Sequence, residues 1–203
     1  MSRSEDRQSR SRNQLVLIWI LFLLPPLSAW VAWKYLGEEG AGVTTNAGTL
    51  ISPARPLQPT GLLRADGTAF SDKEMRGRWT YVLFATGDCG EACERQLYLT
   101  RQTRMAMSKD IRRVQRLLVL DQAPSAEFTQ RLQEEQPDLH WVVRDKQAGP
   151  LMQQFSGDGF GPTGEQYFLV DPLGILMMFY DLVVPAKGFM KDLHKLLKVS
   201  QIG

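Results

Sequence analysis

The chain has 203 residues, 43% apolar content and a formal net charge of +2. That length carries one ordinary domain plus an appendage, and the near-neutral balance lacks the basic footprint of a nucleic-acid binder. Two cysteines rule out a disulfide-rich scaffold and leave one candidate pair.

Residues 1–14 read as a cytoplasmic tail, in which Arg3, Arg7, Arg10 and Arg12 outweigh Glu5 and Asp6. Residues 15–36, LVLIWILFLLPPLSAWVAWKYL, carry no charge before Lys34. About 20 apolar residues span a bilayer, so this stretch predicts one N-terminal transmembrane helix, kinked at Pro25-Pro26. The basic flank before it, and Glu38 and Glu39 after it, place the remainder outside the cytoplasm. The expected location is the inner membrane, single-pass, with a periplasmic C-terminal domain. No small-residue cleavage site stands around Ala29 or Ala32, which speaks against a signal peptide. Glu5 and Asp6 speak against a mitochondrial presequence.

Residues 37–58, rich in Gly, Pro, Thr and Ala, have no helical or strand period and read as a tether. Residues 59–203 read as the folded domain. Leu62 to Phe70 is a hairpin turning on Asp66-Gly67, and Ser71 to Arg76 is a single helical turn. Tyr81 to Ala85 is a buried strand, and Glu91 to Lys109 a helix without clean amphipathicity. Val114 to Leu120 is a strand, and Pro124 to Glu135 a helix with Pro in its first turn. Leu139 to Val143 is a strand, Lys146 to Phe155 a short helix, and Gly157 to Gly164 a loop. Gln166 to Val170 and Ile175 to Tyr180 form a hairpin around Asp171-Pro172-Leu173-Gly174. Lys187 to Val199 closes the chain with Phe189, Leu193, Leu196 and Leu197 as its apolar face. Strands alternating with helices predict an α/β domain with a parallel core, to which the final hairpin adds antiparallel strands.

The chemistry concentrates where the strand at Tyr81 hands over to the helix at Glu91. Thr86-Gly87-Asp88 leads into Cys89 and Cys93. At i and i+4 on helical backbone these sit about 6 Å apart along the axis, on one face. That spacing suits a disulfide, and equally two thiolates converging on a soft ion such as Cu(I). A helix N-terminus favours thiolate, while Asp88 and Glu91 blunt the effect. Functional thiols, a bare staple and an inert free pair all remain open on spacing alone.

Several runs resemble the Sco (SenC) family. They are Leu63-x-Ala65-Asp66-Gly67-Thr68-x-Phe70-Ser71, Arg76-Gly77-Arg78-Trp79, Val82 to Thr86 followed by Cys89-x-x-x-Cys93, and Phe168-Leu169-Val170-Asp171-Pro172-x-Gly174. The resemblance covers residue 60 to the end. It implies a thioredoxin-like fold, a central mixed sheet flanked by helices, in a membrane-anchored protein. It further implies assistance to assembly of the copper centre of cytochrome c oxidase, with an oxidase subunit or other assembly factors as partners. Cys89 and Cys93 then carry thiol–disulfide exchange or transient Cu(I) binding.

Two positions depart from the family. Glu94 stands where it has Pro after the second cysteine. Thr163 stands near the place of its ligand His, and the only histidines, His140 and His194, read as structural or solvent-facing. The copper site of two cysteines and a histidine is therefore not carried over. The rival expectation is a non-catalytic assembly scaffold whose cysteines form only a structural disulfide. Pro162-Thr163 further resembles the cis-Pro-Thr that faces the cysteines in thioredoxin-like folds.

Overall fold

Seven strands form one sheet, in the order β1-β7-β6-β3-β4-β5-β2. The structure is a computed structural model that describes residues 17–32, 34, 45–200 and 202. The strands are β1 (Thr49–Pro56), β2 (Leu62–Leu63), β3 (Trp79–Ala85), β4 (Val114–Leu120), β5 (Leu139–Arg144), β6 (Gln166–Val170) and β7 (Ile175–Asp181). β3, β4 and β5 run parallel; β6 and β7 join antiparallel. Helices α2 (Glu91–Ala106), α3 (Ala126–Glu135), α4 (Gly149–Gln154) and α5 (Ala186–Val199) connect and cover them. This is the mixed, helix-flanked sheet that the resemblance implies.

The chain falls into two compact units, Met1–Thr45 and Asn46–Gly203. In the first, α1 is a helix over residues 17–32 that continues through Pro25 and Pro26. No helix among the described residues is long and apolar enough to cross a membrane. Residues 15, 16, 33, 35 and 36 of the expected span lie outside the described residues, as do residues 1–14 and 37–44 of the tail and tether.

β3 and β4 are buried on both faces, which is why they read as near-continuous apolar runs. One side of the sheet packs Tyr81, Leu83, Leu118, Tyr167 and Leu169 beneath α2, α3 and α5. The other packs Val82, Phe84, Leu117, Phe168 and Val170 against Leu151 and Phe155. α5 presents Phe189, Leu193 and Leu197 to the core as expected, with Leu196 at the margin.

The stretch expected to be a featureless tether contributes β1, which pairs antiparallel with β7 across a bulge. Only Ile51 of its eight residues is buried, so no alternation marks it in the sequence. Asp192 on α5 secures its entry. This buried carboxylate accepts the Ala47 and Gly48 N–H groups at 2.7 and 2.9 Å. Gly48 lies so close to Tyr180 that a Cβ there would sit 2.4 Å from the ring. Burial drives the Tyr81, Tyr167 and Tyr180 phenol pKa values up.

Smaller differences have local causes. The helix at Glu91 stops at Ala106, and a 3-10 stretch, Ser108–Arg113, follows. α3 begins after Ser125, whose side chain caps the Phe128 N–H, so Pro124 stands outside the helix. α2 lacks a clean apolar stripe because it buries Gln96, Thr100 and Thr103. Thr100 and Thr103 bond back to the carbonyls of Gln96 and Leu99 at 2.7 and 2.9 Å. Thr100 also meets Arg116, which is fully buried on β4. Its guanidinium donates to Thr100 Oγ1 at 3.1 Å, to the Leu97 carbonyl at 2.9 Å, to Gln136 Oε1 at 3.0 Å and to Asp138 Oδ2 at 3.2 Å. Burial pulls its pKa down to about 10, against the pull of Asp138, and it stays charged at neutral pH.

Candidate functional site

β3 ends at Ala85, and the chain turns sharply before α2. Gly87 takes a φ of +33°, and a Cβ there would meet the Gln122 side chain at 2.6 Å, so the turn demands glycine. Two bonds fasten this turn to the segment after β4. The Gly87 N–H donates to Asp121 Oδ1 at 3.1 Å, and Asp88 Oδ1 accepts the Ser125 N–H at 2.9 Å. Gly90, extended, is the N-cap and offers no side-chain acceptor.

Cys89 and Cys93 are joined in a disulfide with Cα atoms 5.3 Å apart. The free-pair expectation falls here: a loop residue and a first-turn residue at this spacing meet without backbone movement. Cys93 is 5% exposed and packs into the core with Leu97 and Phe128, whereas Cys89 is half-buried at its edge. One sulfur is thus reachable and its partner is shielded.

Glu91 and Glu94 lie in the first turn of α2. Glu94, in the place of the family's proline, forms an ion pair with Arg131 on α3. Across the turn, the 161–164 loop is held by Gln96, whose Nε2 donates to the Gly164 carbonyl. Gly164 itself, at φ +87°, approaches the Phe84 carbonyl closely. Pro162 is therefore near the head of α2, but the one cis peptide bond among the described residues is Ser52–Pro53, so the cis-Pro expectation fails.

A cleft of about 110 Å³ opens between this loop and the C-terminal ends of β3 and β4. Thr86, Asp121, Arg144 and Thr163 give it polar walls. Asp121 and Arg144 face each other at 3.8 Å. The sequence held a signal for Asp121: a polar residue at the carboxyl end of a parallel strand is where α/β sheets place chemistry. Arg144, at the carboxyl end of parallel β5, carried the same signal, and Gln96 carried none.

No group of three or more His, Cys, Asp or Glu side chains that could hold a metal occurs among the described residues. His140 and His194 are both exposed, and His194 Nδ1 contacts the Met190 carbonyl at 2.8 Å. Met178 and Met107 are core, while Met105 is exposed. The donor set at the site is therefore two sulfurs. Once reduced, the pair suits Cu(I), which accepts soft, low coordination, and does not suit Cu(II).

Residues 79–200 match the family described as a transmembrane-like, thioredoxin-like, C-terminal domain. No curated protein sequence matches the chain. Among solved structures, copper-bound yeast Sco1 is similar with TM-score 0.59 and 14% identity, covering 72% of this chain and 90% of that one. Copper-bound ScoI of Bradyrhizobium japonicum gives TM-score 0.53 and 20% identity, covering 70% and 98%. BsSco, described with a disulfide switch and as a member of the Sco family of cytochrome c oxidase assembly proteins, gives 0.53 and 15%, covering 75% and 99%. At these identities the likeness establishes a shared fold.

Proposed function

This chain belongs to the transmembrane-like, thioredoxin-like C-terminal domain family, and from that premise we propose that it is a membrane-anchored accessory protein for assembly of the cytochrome c oxidase copper centre, acting by thiol–disulfide exchange through Cys89 and Cys93. The observation that carries the reading is the asymmetry of the pair: a reachable sulfur bonded to a shielded one at the head of a helix. The fold shared with Sco proteins supplies the context, and an oxidase subunit or another assembly factor on the outer face of the membrane supplies the target.

Exchange needs only the pair and access. In the reduced protein Cys89, as thiolate, attacks a disulfide of the target and forms a mixed disulfide, and one target sulfur leaves as thiolate. Cys93 then attacks Cys89, restoring the bond seen here and releasing the target as a dithiol. Two electrons pass from this protein to the target, and an external thiol reductant must return them. The cleft beside the 161–164 loop offers the target chain polar contacts next to this chemistry.

Transfer of Cu(I) as cargo is the second mode of the same pair, open only to its reduced form, with Cys89 and Cys93 as both ligands. The competing reading, a partner-binding scaffold with a structural disulfide, is favoured by the burial of Cys93. One experiment separates them. A Cys93→Ser variant should accumulate mixed disulfides through Cys89 when offered an oxidised oxidase-subunit peptide, and a Cys89→Ser variant should not. Equal trapping by both, or by neither, rejects exchange. Equilibration against glutathione buffers should return a reversible couple near the compartment's poise, whereas a bridge that resists all buffers belongs to the scaffold.

A further inference from the structure

β2 is two residues long and meets β5 only at Arg144 and Val143, while Leu63 also bridges Ala69. It then turns away through the Asp66-Gly67 bend, so the Leu139 to Val142 edge of β5 has no strand beside it. A trough of two compartments fills the gap, with volumes of about 210 and 330 Å³. Both are lined by Phe70, Glu74 and His140, which makes them one continuous feature. The trough lies at the N-terminal ends of β3, β4 and β5. The rise of β3 puts it about 20 Å from the turn that bears the cysteines.

Its two ends differ in chemistry. In the smaller compartment the floor is fixed: buried Gln115 donates to the Glu74 carbonyl at 2.9 Å and to Thr80 Oγ1 at 2.8 Å. Cations rim it. Arg76 is paired with Asp72 at 3.1 Å, and Glu74 is committed to Arg64. Lys73 and Arg78 are exposed and have no ion-pair partner among the described residues, and the His140 ring beside them has no hydrogen-bond partner there. The larger compartment is lined by Phe70 and Val142, on the face of β5 that His140 shares, with the Arg64 guanidinium 5.9 Å from the Phe70 ring centroid. Uncompensated positive charge at one end and aromatic surface at the other define a complementary molecule.

We infer that this trough binds a small anionic ligand, its carboxylate or phosphate held by Lys73, Arg78 and His140 and its flat apolar body lying against Phe70 and Val142. The site is separate from the disulfide and does not depend on the oxidation state of the cysteines. Arg78 leads directly into β3, so an occupant engages the strand that carries the cysteine turn at its far end.

The test uses the full-length chain in neutral detergent, titrated with phenyl phosphate, benzoate and inorganic phosphate. With only two histidines in the chain, the His140 ring resonances are assigned by comparison with a His194→Gln variant. Saturable shifts at His140 are expected for at least one aromatic probe, with Kd at or below about 1 mM. That probe should bind about tenfold more tightly than inorganic phosphate, because only it buries a ring. The stronger of phenyl phosphate and benzoate identifies the headgroup. A Lys73→Gln/Arg78→Gln variant, altered only at exposed positions, should lose about tenfold in affinity. A Cys89→Ser/Cys93→Ser variant should lose none. The proposal is overturned if no probe saturates by about 10 mM, if the double charge variant binds as well as the parent, or if the cysteine variant loses binding.

Discussion

Reduction of the Cys89–Cys93 bond should cost the fold little. The bridge joins residues four apart, and closing so short a loop in the unfolded chain is worth about 2 kcal/mol. The head of α2 has other fastenings: Gly87 to Asp121, Asp88 to Ser125, Gln96 to Gly164 and Arg116 to Leu97. None of them uses a sulfur. For a domain of this size a 2 kcal/mol loss lowers the melting midpoint by about 4–8 °C. The same stability difference contributes about 40 mV to the couple, small enough to leave it poised for exchange. Circular dichroism melts of the full chain, oxidised and fully reduced, measure the difference directly. The Cys89→Ser/Cys93→Ser variant should melt with the reduced protein. A reduced form that is unfolded at room temperature, or that melts more than about 15 °C below the oxidised one, would refute the reasoning. The bond would then be structural.

Replacing Asp192 by Ala leaves the Ala47 and Gly48 N–H groups without an acceptor. It should cost about 3 kcal/mol in urea denaturation, with amide exchange accelerated first at Thr49 to Ile51; unchanged exchange there would show that β1 is held elsewhere. Arg116→Ala should cost about 3–5 kcal/mol, because it empties a fully buried site and strips Thr100 Oγ1 and Gln136 Oε1 of their donor. Arg116→Met should cost less, since it fills the space and Asp138 keeps Arg104 at 3.3 Å; equal losses would mean that the lost hydrogen bonds, not the volume, set the cost. At Glu74 burial opposes ionisation, but the Ser71 amide and Arg64 outweigh it and hold the carboxyl below its ordinary value of 4.5. The stability this adds is complete above that value and is lost as pH falls through the depressed one. Glu74→Gln should flatten that part of the acid limb slightly, the pair being a third exposed; an acid limb identical in the two proteins would refute the assignment.

The centre of the sheet was legible because β3, β4 and β6 are covered on both faces and so are apolar almost without interruption. β1 was not, since a strand with one buried residue has no pattern to read, and its anchorage comes from Asp192, more than 140 positions away. The cysteine spacing located the site without deciding its state, because one turn of helix suits a disulfide, a two-thiolate ion site and an idle pair alike. The difference in burial between Cys93 and Cys89, on which the proposed exchange rests, arises from packing with α3 and the sheet. The polar face of α2 looked like noise until Arg116 supplied its reason. The trough beside β5 was invisible because it depends on where β2 stops.

The clamp that Arg116 and Gln96 place on α2 separates the frame from the chemistry. A framework braced by nitrogen and oxygen can keep its shape while the proposed exchange opens and closes the bond between two sulfurs. Under that proposal the pace is governed by how often the client arrives, and the wear by whatever reaches the half-buried Cys89 while it waits.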